Sequence, residues 1–226
     1  MVARQLALAL AHAESFARED FLAGPSNAAA LALIDQWPDW PNRVMVLVGS
    51  EGSGKSHLAA IWAQAAGARF VAARALDVGT VPAALATGAL VIEDVGELVD
   101  ERALFHLLNL AREEGAFVLI LARTPPAAWT IEVRDLASRL TALPVVMLTS
   151  PDDALLRAVL VKLFADRQLA VDESLITYLA TRIERSFAAA RATVEHLDRE
   201  ALRLQRPVTR ALASEALREF LPHGPG

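Results

Sequence analysis

Cysteine is absent from this 226-residue sequence, which excludes disulfides, thiolate metal sites and cysteine nucleophiles together. Lysine is scarce: of 22 basic residues only Lys55 and Lys162 are lysines. No apolar run approaches the ~18 residues that a membrane span needs, and the first residues lack the form of a signal peptide. A net charge of −5 argues against a whole-surface attachment to nucleic acid. We therefore expect a cytoplasmic protein without membrane contact.

Apolar segments and helical patterns alternate through the first two thirds of the chain, and helical patterns alone follow. Hydrophobic residues make up 54% and charged residues 22% of the sequence, as in a well-cored folded protein. The alternation predicts a three-layer α/β domain with a parallel five-stranded sheet. We place this domain at 13–150 and a small all-helical domain at 151–226. The predicted strands are 44–48, 69–72, 89–92, 116–122 and 144–148; the predicted C-terminal helices are roughly 152–167, 172–182, 187–203 and 208–219.

Residues 49–56 match the phosphate-binding pattern GxxxxGKS, between an apolar strand and a helix start. Backbone N–H groups of such a turn point inward, and the helix N-terminus adds partial positive charge. Lysine reaches the β- and γ-phosphates and the final serine holds Mg²⁺. A chance glycine-rich turn would not explain the matched flanks, so we predict binding of a nucleoside triphosphate or diphosphate. The predicted contacts are Gly49, Ser50, Gly52, Ser53, Gly54, Lys55 and Ser56.

An acidic pair, Glu93 and Asp94, ends the predicted strand 89–92. Nucleotide hydrolysis requires a carboxylate near the metal and a group that orients the attacking water. We assign Glu93 to the metal side, with Ser56, and Asp94 to the water side. The alternative interpretation is an ordinary strand end with solvated acids.

With these motifs and the helical C-terminal part, the chain resembles the AAA+ domain of the bacterial initiator DnaA. It looks most like the short DnaA-related proteins of the Hda type, which inactivate the initiator. The resemblance implies ATP or ADP with Mg²⁺ as cofactors and a lid role for 151–226. It also implies an adenine pocket lined by Phe21 and Leu22, an arginine finger at Arg139 and a lid contact from Arg191. The alternatives are a surface arginine that caps a helix for Arg139 and a solvated helix residue for Arg191.

Departures from the family pattern also carry predictions. Glu93 replaces the usual first aspartate of the acidic strand, and Arg123 or Thr124 stands where the family tends to have an acidic or amide residue. These two departures predict that the chain's own ATPase activity is weak or absent. The sequence ends without the helix-turn-helix domain of the initiator, so we expect no direct origin recognition and DNA contact only through the sliding clamp.

The N-terminal segment 1–12 contains a short glutamine-leucine pattern. Gln5, Leu6, Leu8 and Leu10 resemble the QxxLxL peptide that docks bacterial proteins onto the replicative sliding clamp. Such a peptide buries alternate leucines in an apolar groove while the amide finds fixed partners. An amphipathic leader helix packed on its own domain is the alternative.

The leading hypothesis is a clamp-tethered regulator that offers Arg139 to ATP held by DnaA. A finger acts on a neighbour's nucleotide, which implies association with the initiator or as a homo-oligomer. Two alternatives remain: an autonomous ATPase or helicase loader, and a non-catalytic adaptor between clamp and initiator.

Overall fold

A computed structural model describes residues 17–96 and 100–220, with the side chains of 219 and 220 excepted. The predicted clamp-binding residues Gln5, Leu6, Leu8 and Leu10 lie outside these ranges. Five parallel strands form one sheet in the order β2-β3-β4-β1-β5. The predicted fold class is therefore confirmed. The strands are β1 (Val44–Val48), β2 (Arg69–Ala72), β3 (Ala89–Val95), β4 (Phe117–Ala122) and β5 (Val145–Met147).

Helices flank the sheet and then continue the chain. The first five are α1 (Ala28–Asp35), α2 (Lys55–Ala66), α3 (Val81–Leu85), α4 (Glu101–Glu114) and α5 (Arg134–Thr141). The last four are α6 (Asp153–Asp166), α7 (Glu173–Ala180), α8 (Phe187–Leu204) and α9 (Arg210–Phe220). The sequence did not predict α3, because five residues are too few to show a helical period. No helix within 17–96 and 100–220 is long and apolar enough to cross a bilayer.

Alternate residues of each central strand pack against opposite layers, as the two-residue period of a strand requires. Val46, with its neighbours on that face, packs against α3, α4 and α5. Leu47 faces the other way and packs against α1 and α2. A third apolar cluster belongs to α6–α9 and includes the fully buried Phe164. The division of the chain near residue 150 stays a prediction.

Carboxylates and a serine cap several helices. The Asp152 side chain accepts a hydrogen bond from Leu155 N at 2.8 Å, which satisfies one donor at the start of α6. At α1 the N-cap residue Asn27 makes no side-chain cap hydrogen bond. Asn27 instead accepts from Gly24 N at 2.8 Å and donates to Leu22 O at 3.0 Å. Its amide therefore shapes the segment before α1 rather than capping the helix.

Candidate functional site

The glycine-rich loop lies where β1 ends and α2 begins, beside the end of β4. Gly49 N donates to Ala122 O at 3.1 Å, in continuation of the parallel pairing of Val48 with Ala122. Gly52 and Gly54 adopt φ values of 71° and 95°, which L side chains rarely adopt. A Cβ at Gly52 would also lie 2.7 Å from the Cβ of Ala188. Glycine is thus required at both positions by the backbone conformation, and at Gly52 by the packing against Ala188 as well.

Lys55 folds over this loop from the first turn of α2. Its Nζ donates to Gly49 O and Ser50 O, each at 2.7 Å. Burial lowers the pKa of Lys55, as does the nearby charge of Arg123, while Asp94 and Glu51 oppose the shift. The ammonium group therefore lies in a half-buried position from which part of its hydration has been removed.

The donors around the loop fit a phosphate group. Ser53 is buried and its Oγ makes no hydrogen bond within the described residues. Ser56 is exposed in the first turn of α2, where the first backbone N–H groups of a helix have no intrahelical partner. An anion with several acceptor oxygens would satisfy these groups together with Lys55.

The acidic pair lies on a distortion of β3. The pairing with β4 shifts between Ile92 and Val95, and Asp94 has a left-handed φ of 55°. One extra residue on β3 redirects the side chains around it. Burial, and then the charge of Asp94, raises the pKa of Glu93. Of the two acids, Asp94 is the one whose charge acts on Lys55.

Arg123 follows β4 and reaches the phosphate loop. Its Nη2 lies 3.0 Å from Oε2 of Glu51, and both side chains are mostly exposed. The sequence marked Arg123 as an unusual residue at the strand end but did not predict its ion pair with the loop.

A cavity of about 360 Å³ adjoins the loop. Phe21 and Leu22, Gly54 of the loop, and Arg191 on α8 line it together, so four residues predicted for nucleotide contact share one cavity. Other lining residues that the sequence analysis did not select include His57, Lys162, Asp166 and Phe187. Only the placement of α6 and α8 against the loop brings these residues together, although the rarity of lysine was a usable signal for Lys162.

Direct contacts hold the cavity walls in place. Phe187 N donates to Gly52 O at 2.9 Å, which joins the start of α8 to the phosphate loop. The rings of Phe21 and His57 meet edge to face, with centroids 5.2 Å apart and an interplanar angle of 89°. Such a contact favours the ordered position of both rings.

Arg139 lies elsewhere, on α5, among the helices of the sheet face opposite α1 and α2. Its Nη1 donates to Asn109 Oδ1 on α4, and its Nη2 lies 3.1 Å from Asp135. The guanidinium carbon also stands 4.7 Å from the ring centroid of Phe105. These contacts orient a side chain that remains 37% exposed. Arg139 does not line the cavity that contains Arg191.

Comparisons with known proteins fit this description. No family model matches the chain. The chromosomal replication initiator protein DnaA of Thermomicrobium roseum is 26% identical over 232 residues, which cover 89% of this chain and 49% of the relative. The chain thus spans about half the length of that curated relative.

Solved structures share the fold over most of the chain. Domain III of DnaA from Thermotoga maritima matches with a TM-score of 0.75 and 18% identity, over 92% of this chain and 98% of that one. The RuvB Holliday junction branch migration motor of Thermotoga maritima matches with a TM-score of 0.73 and 16% identity, over 91% of this chain and 72% of that one. AMPPCP-bound DnaA from Aquifex aeolicus matches with a TM-score of 0.69 and 16% identity, over 89% of this chain and 70% of that one.

The sheet order, the phosphate loop and the helices that follow define an AAA+ fold. The chain thus has the fold of the AAA+ domain of DnaA and a sequence similarity to that replication initiator.

Proposed function

We propose that this chain is a nucleotide-binding regulator of replication initiation, with a role like that of the Hda type. It binds ATP or ADP in the cavity and offers Arg139 to ATP held by a DnaA-type initiator. The observation that carries the proposal is the separation of the two sites: the phosphate loop faces its own cavity, whereas Arg139 is oriented on a different surface.

The nucleotide would be held by parts already in contact with one another. Backbone N–H groups of the glycine-rich loop and Lys55 would bind the phosphates, and Phe21 with Leu22 would pack on the base. Arg191 would approach the phosphates from the lid. Mg²⁺, held by Ser56 and an acid of the Glu93–Asp94 pair, would supply charge neutralisation at the phosphates. A solved structure of AMPPCP-bound DnaA with the same fold supports nucleotide binding by this chain.

Arg139 suits action on a neighbouring molecule. A finger stabilises the charge that develops on a transferring phosphoryl group, and it must be held at a fixed angle to do so. Asn109 and Phe105 provide that orientation through a hydrogen bond and a ring contact. Since hydrolysis then occurs on the partner, weak turnover by this chain's own Glu93 would not impair the role.

The N-terminal peptide completes the proposal. Gln5, Leu6, Leu8 and Leu10 would dock onto the sliding clamp by the mode of a short extended peptide in an apolar groove. The clamp would bring the regulator close to DNA without direct contact and raise its effective concentration near the initiator.

The decisive experiment measures hydrolysis of initiator-bound ATP in the presence of clamp-loaded DNA. The wild-type chain is expected to accelerate hydrolysis, and Arg139→Ala is expected to reduce that acceleration by on the order of 10³-fold. Arg134→Ala, an exposed arginine on the same helix, is the matched control and should retain full stimulation. Absence of stimulation by the wild-type chain would rule the proposal out.

Two further variants separate the alternatives. If Arg139→Ala stimulates normally while Gln5→Ala does not, the chain is an adaptor between clamp and initiator. If the isolated chain turns over ATP and loses this activity on Asp94→Ala, it is an autonomous ATPase. The regulator predicts that both Arg139→Ala and Gln5→Ala lose stimulation.

A further inference from the structure

Both lysines of this arginine-rich chain belong to the same site. Lys55 covers the phosphate loop, and Lys162, on α6, lines the adjoining cavity. All other basic residues are arginines. The second lysine therefore stands out in the same way as the first, at a position where a compact ammonium group has a defined geometry.

Lys162 joins two carboxylates from different parts of the chain. Its Nζ lies 2.7 Å from Oδ1 of Asp20, in the segment before α1, and 2.9 Å from Oδ2 of Asp166, one turn along α6. The side chains of Lys162 and Asp20 are only about a quarter exposed, at 26% and 25%. Charge-assisted hydrogen bonds are stronger in such a partly desolvated position than at an open surface.

The segment that carries Asp20 is fixed to the α/β part of the molecule by other contacts. Arg18 pairs with Asp35 at the end of α1, with two hydrogen bonds of 3.0 and 2.7 Å. Phe21 is buried and contacts the ring of His57. The bond from Asp20 to Lys162 therefore spans from this fixed segment to α6, across one wall of the cavity.

We propose that Asp20 and Lys162 form a clasp that holds α6 against the nucleoside part of the bound nucleotide, with Lys162 as the positioning residue. This inference rests on the proposed nucleotide binding. The clasp acts on the wall made by Phe21, Leu22 and α6, whereas the phosphate loop makes its own contacts. Loss of the clasp should weaken binding of a whole nucleotide and spare binding of its phosphates.

A guanidinium cannot replace this ammonium without rearrangement. Lysine presents a compact charge with three donors that rotate freely, whereas arginine presents a planar fork. Here the two carboxylates converge on one nitrogen from different elements. Lys162→Arg is therefore expected to behave like a partial loss of the clasp rather than as a neutral change.

The test compares two ligands by calorimetric titration of the full chain. For Lys162→Met the Kd for ADP should rise roughly tenfold, and the Kd for inorganic pyrophosphate should change by less than about twofold. Lys162→Arg should lie between the wild type and Lys162→Met for ADP. The control is Arg157→Met, a cation on the same helix that instead contacts Thr177 of α7; both its Kd values should match the wild type.

The outcomes separate this inference from the function on which it rests. A wild-type chain that binds no nucleotide would refute the nucleotide site itself. A wild-type chain that binds ADP, with Lys162→Met equally tight for ADP or equally weakened for both ligands, would overturn the clasp alone. If Lys162→Met does not retain the thermal midpoint of the ligand-free chain, Asp20→Asn decides, and it must show the same selective loss for ADP.

Discussion

Two cationic side chains of this molecule, Lys55 and Arg139, belong to sites built in opposite ways. Lys55 bonds to backbone carbonyls of a glycine-rich loop, and Gly54 of that loop lines a cavity. Arg139 is held by the side chains of Asn109, Asp135 and Phe105 on a helical surface. The backbone-built site is concave and suits a ligand that the chain binds itself. The side-chain-built site is exposed and suits a phosphate that another molecule presents.

Among the described residues, the contacts of Lys55 and those of Arg139 involve different partners, so substitutions in the two sites should act independently. Nucleotide affinity should report on the loop, and stimulation of a partner should report on Arg139. The three predictions below use this independence, beginning with the largest expected effect.

Lys55→Ala should abolish most nucleotide binding. The substitution removes a half-buried cation and its donors from the phosphate site, so we expect the Kd for ADP to rise by roughly 100-fold or more. Fluorescence titration with a labelled ADP measures this effect. Arg139→Ala is the matched comparison and should keep the wild-type Kd within about twofold. A similar loss of affinity in both variants would show that the sites are coupled.

Asn109→Ala should reveal how far orientation contributes to the Arg139 site. The variant keeps the guanidinium and its contact with Phe105 but removes the hydrogen bond from α4. We expect stimulation of initiator-bound ATP hydrolysis to fall by roughly tenfold, less than in Arg139→Ala, because a misplaced group loses much of its catalytic effect. Nucleotide affinity of the chain itself should not change. Full stimulation by Asn109→Ala would mean that α4 does not position the finger.

The two sites also differ in how much of them the sequence could predict. The loop follows local rules, so the helix start directly after it was predicted, and the structure has α2 at Lys55–Ala66. The cavity depends on the approach of α6 and α8, which no local pattern encodes. Lys162 and Phe187 were therefore missed as lining residues although both stand in correctly predicted helices.

Smaller features were beyond local rules as well. The bulge that gives Asp94 its left-handed conformation arises from pairing between β3 and β4, and a strand pattern carries no sign of it. Arg139 was singled out as a candidate arginine finger only by the resemblance to a known family. Its orientation by Asn109, thirty positions away in sequence, required the packed helices.

The smallest expected effect concerns the acid at the loop site. Burial and the neighbouring charge of Asp94 raise the pKa of Glu93 above its ordinary value of 4.5. The folded state therefore holds this proton more tightly than the unfolded state does. The stability that results is fully present below the unfolded pKa and is lost as the pH rises through the folded pKa. At neutral pH the ionised Glu93 is thus a cost to folding that a neutral isostere avoids.

Glu93→Gln should accordingly stabilise the ligand-free chain more at about pH 7.5 than at about pH 4. The rise in Tm over the wild type should be larger at the higher pH by roughly 1–3 °C. Thermal unfolding followed by circular dichroism at both pH values measures it. Glu113→Gln, on an exposed position of α4, is the control for loss of one negative charge. The Tm change must depend more strongly on pH in Glu93→Gln than in this control. An equal difference would mean that the acids of the loop site are as solvated as a surface carboxylate. The loop site and the Arg139 site would then differ in shape, but not in how far their charged groups are removed from water.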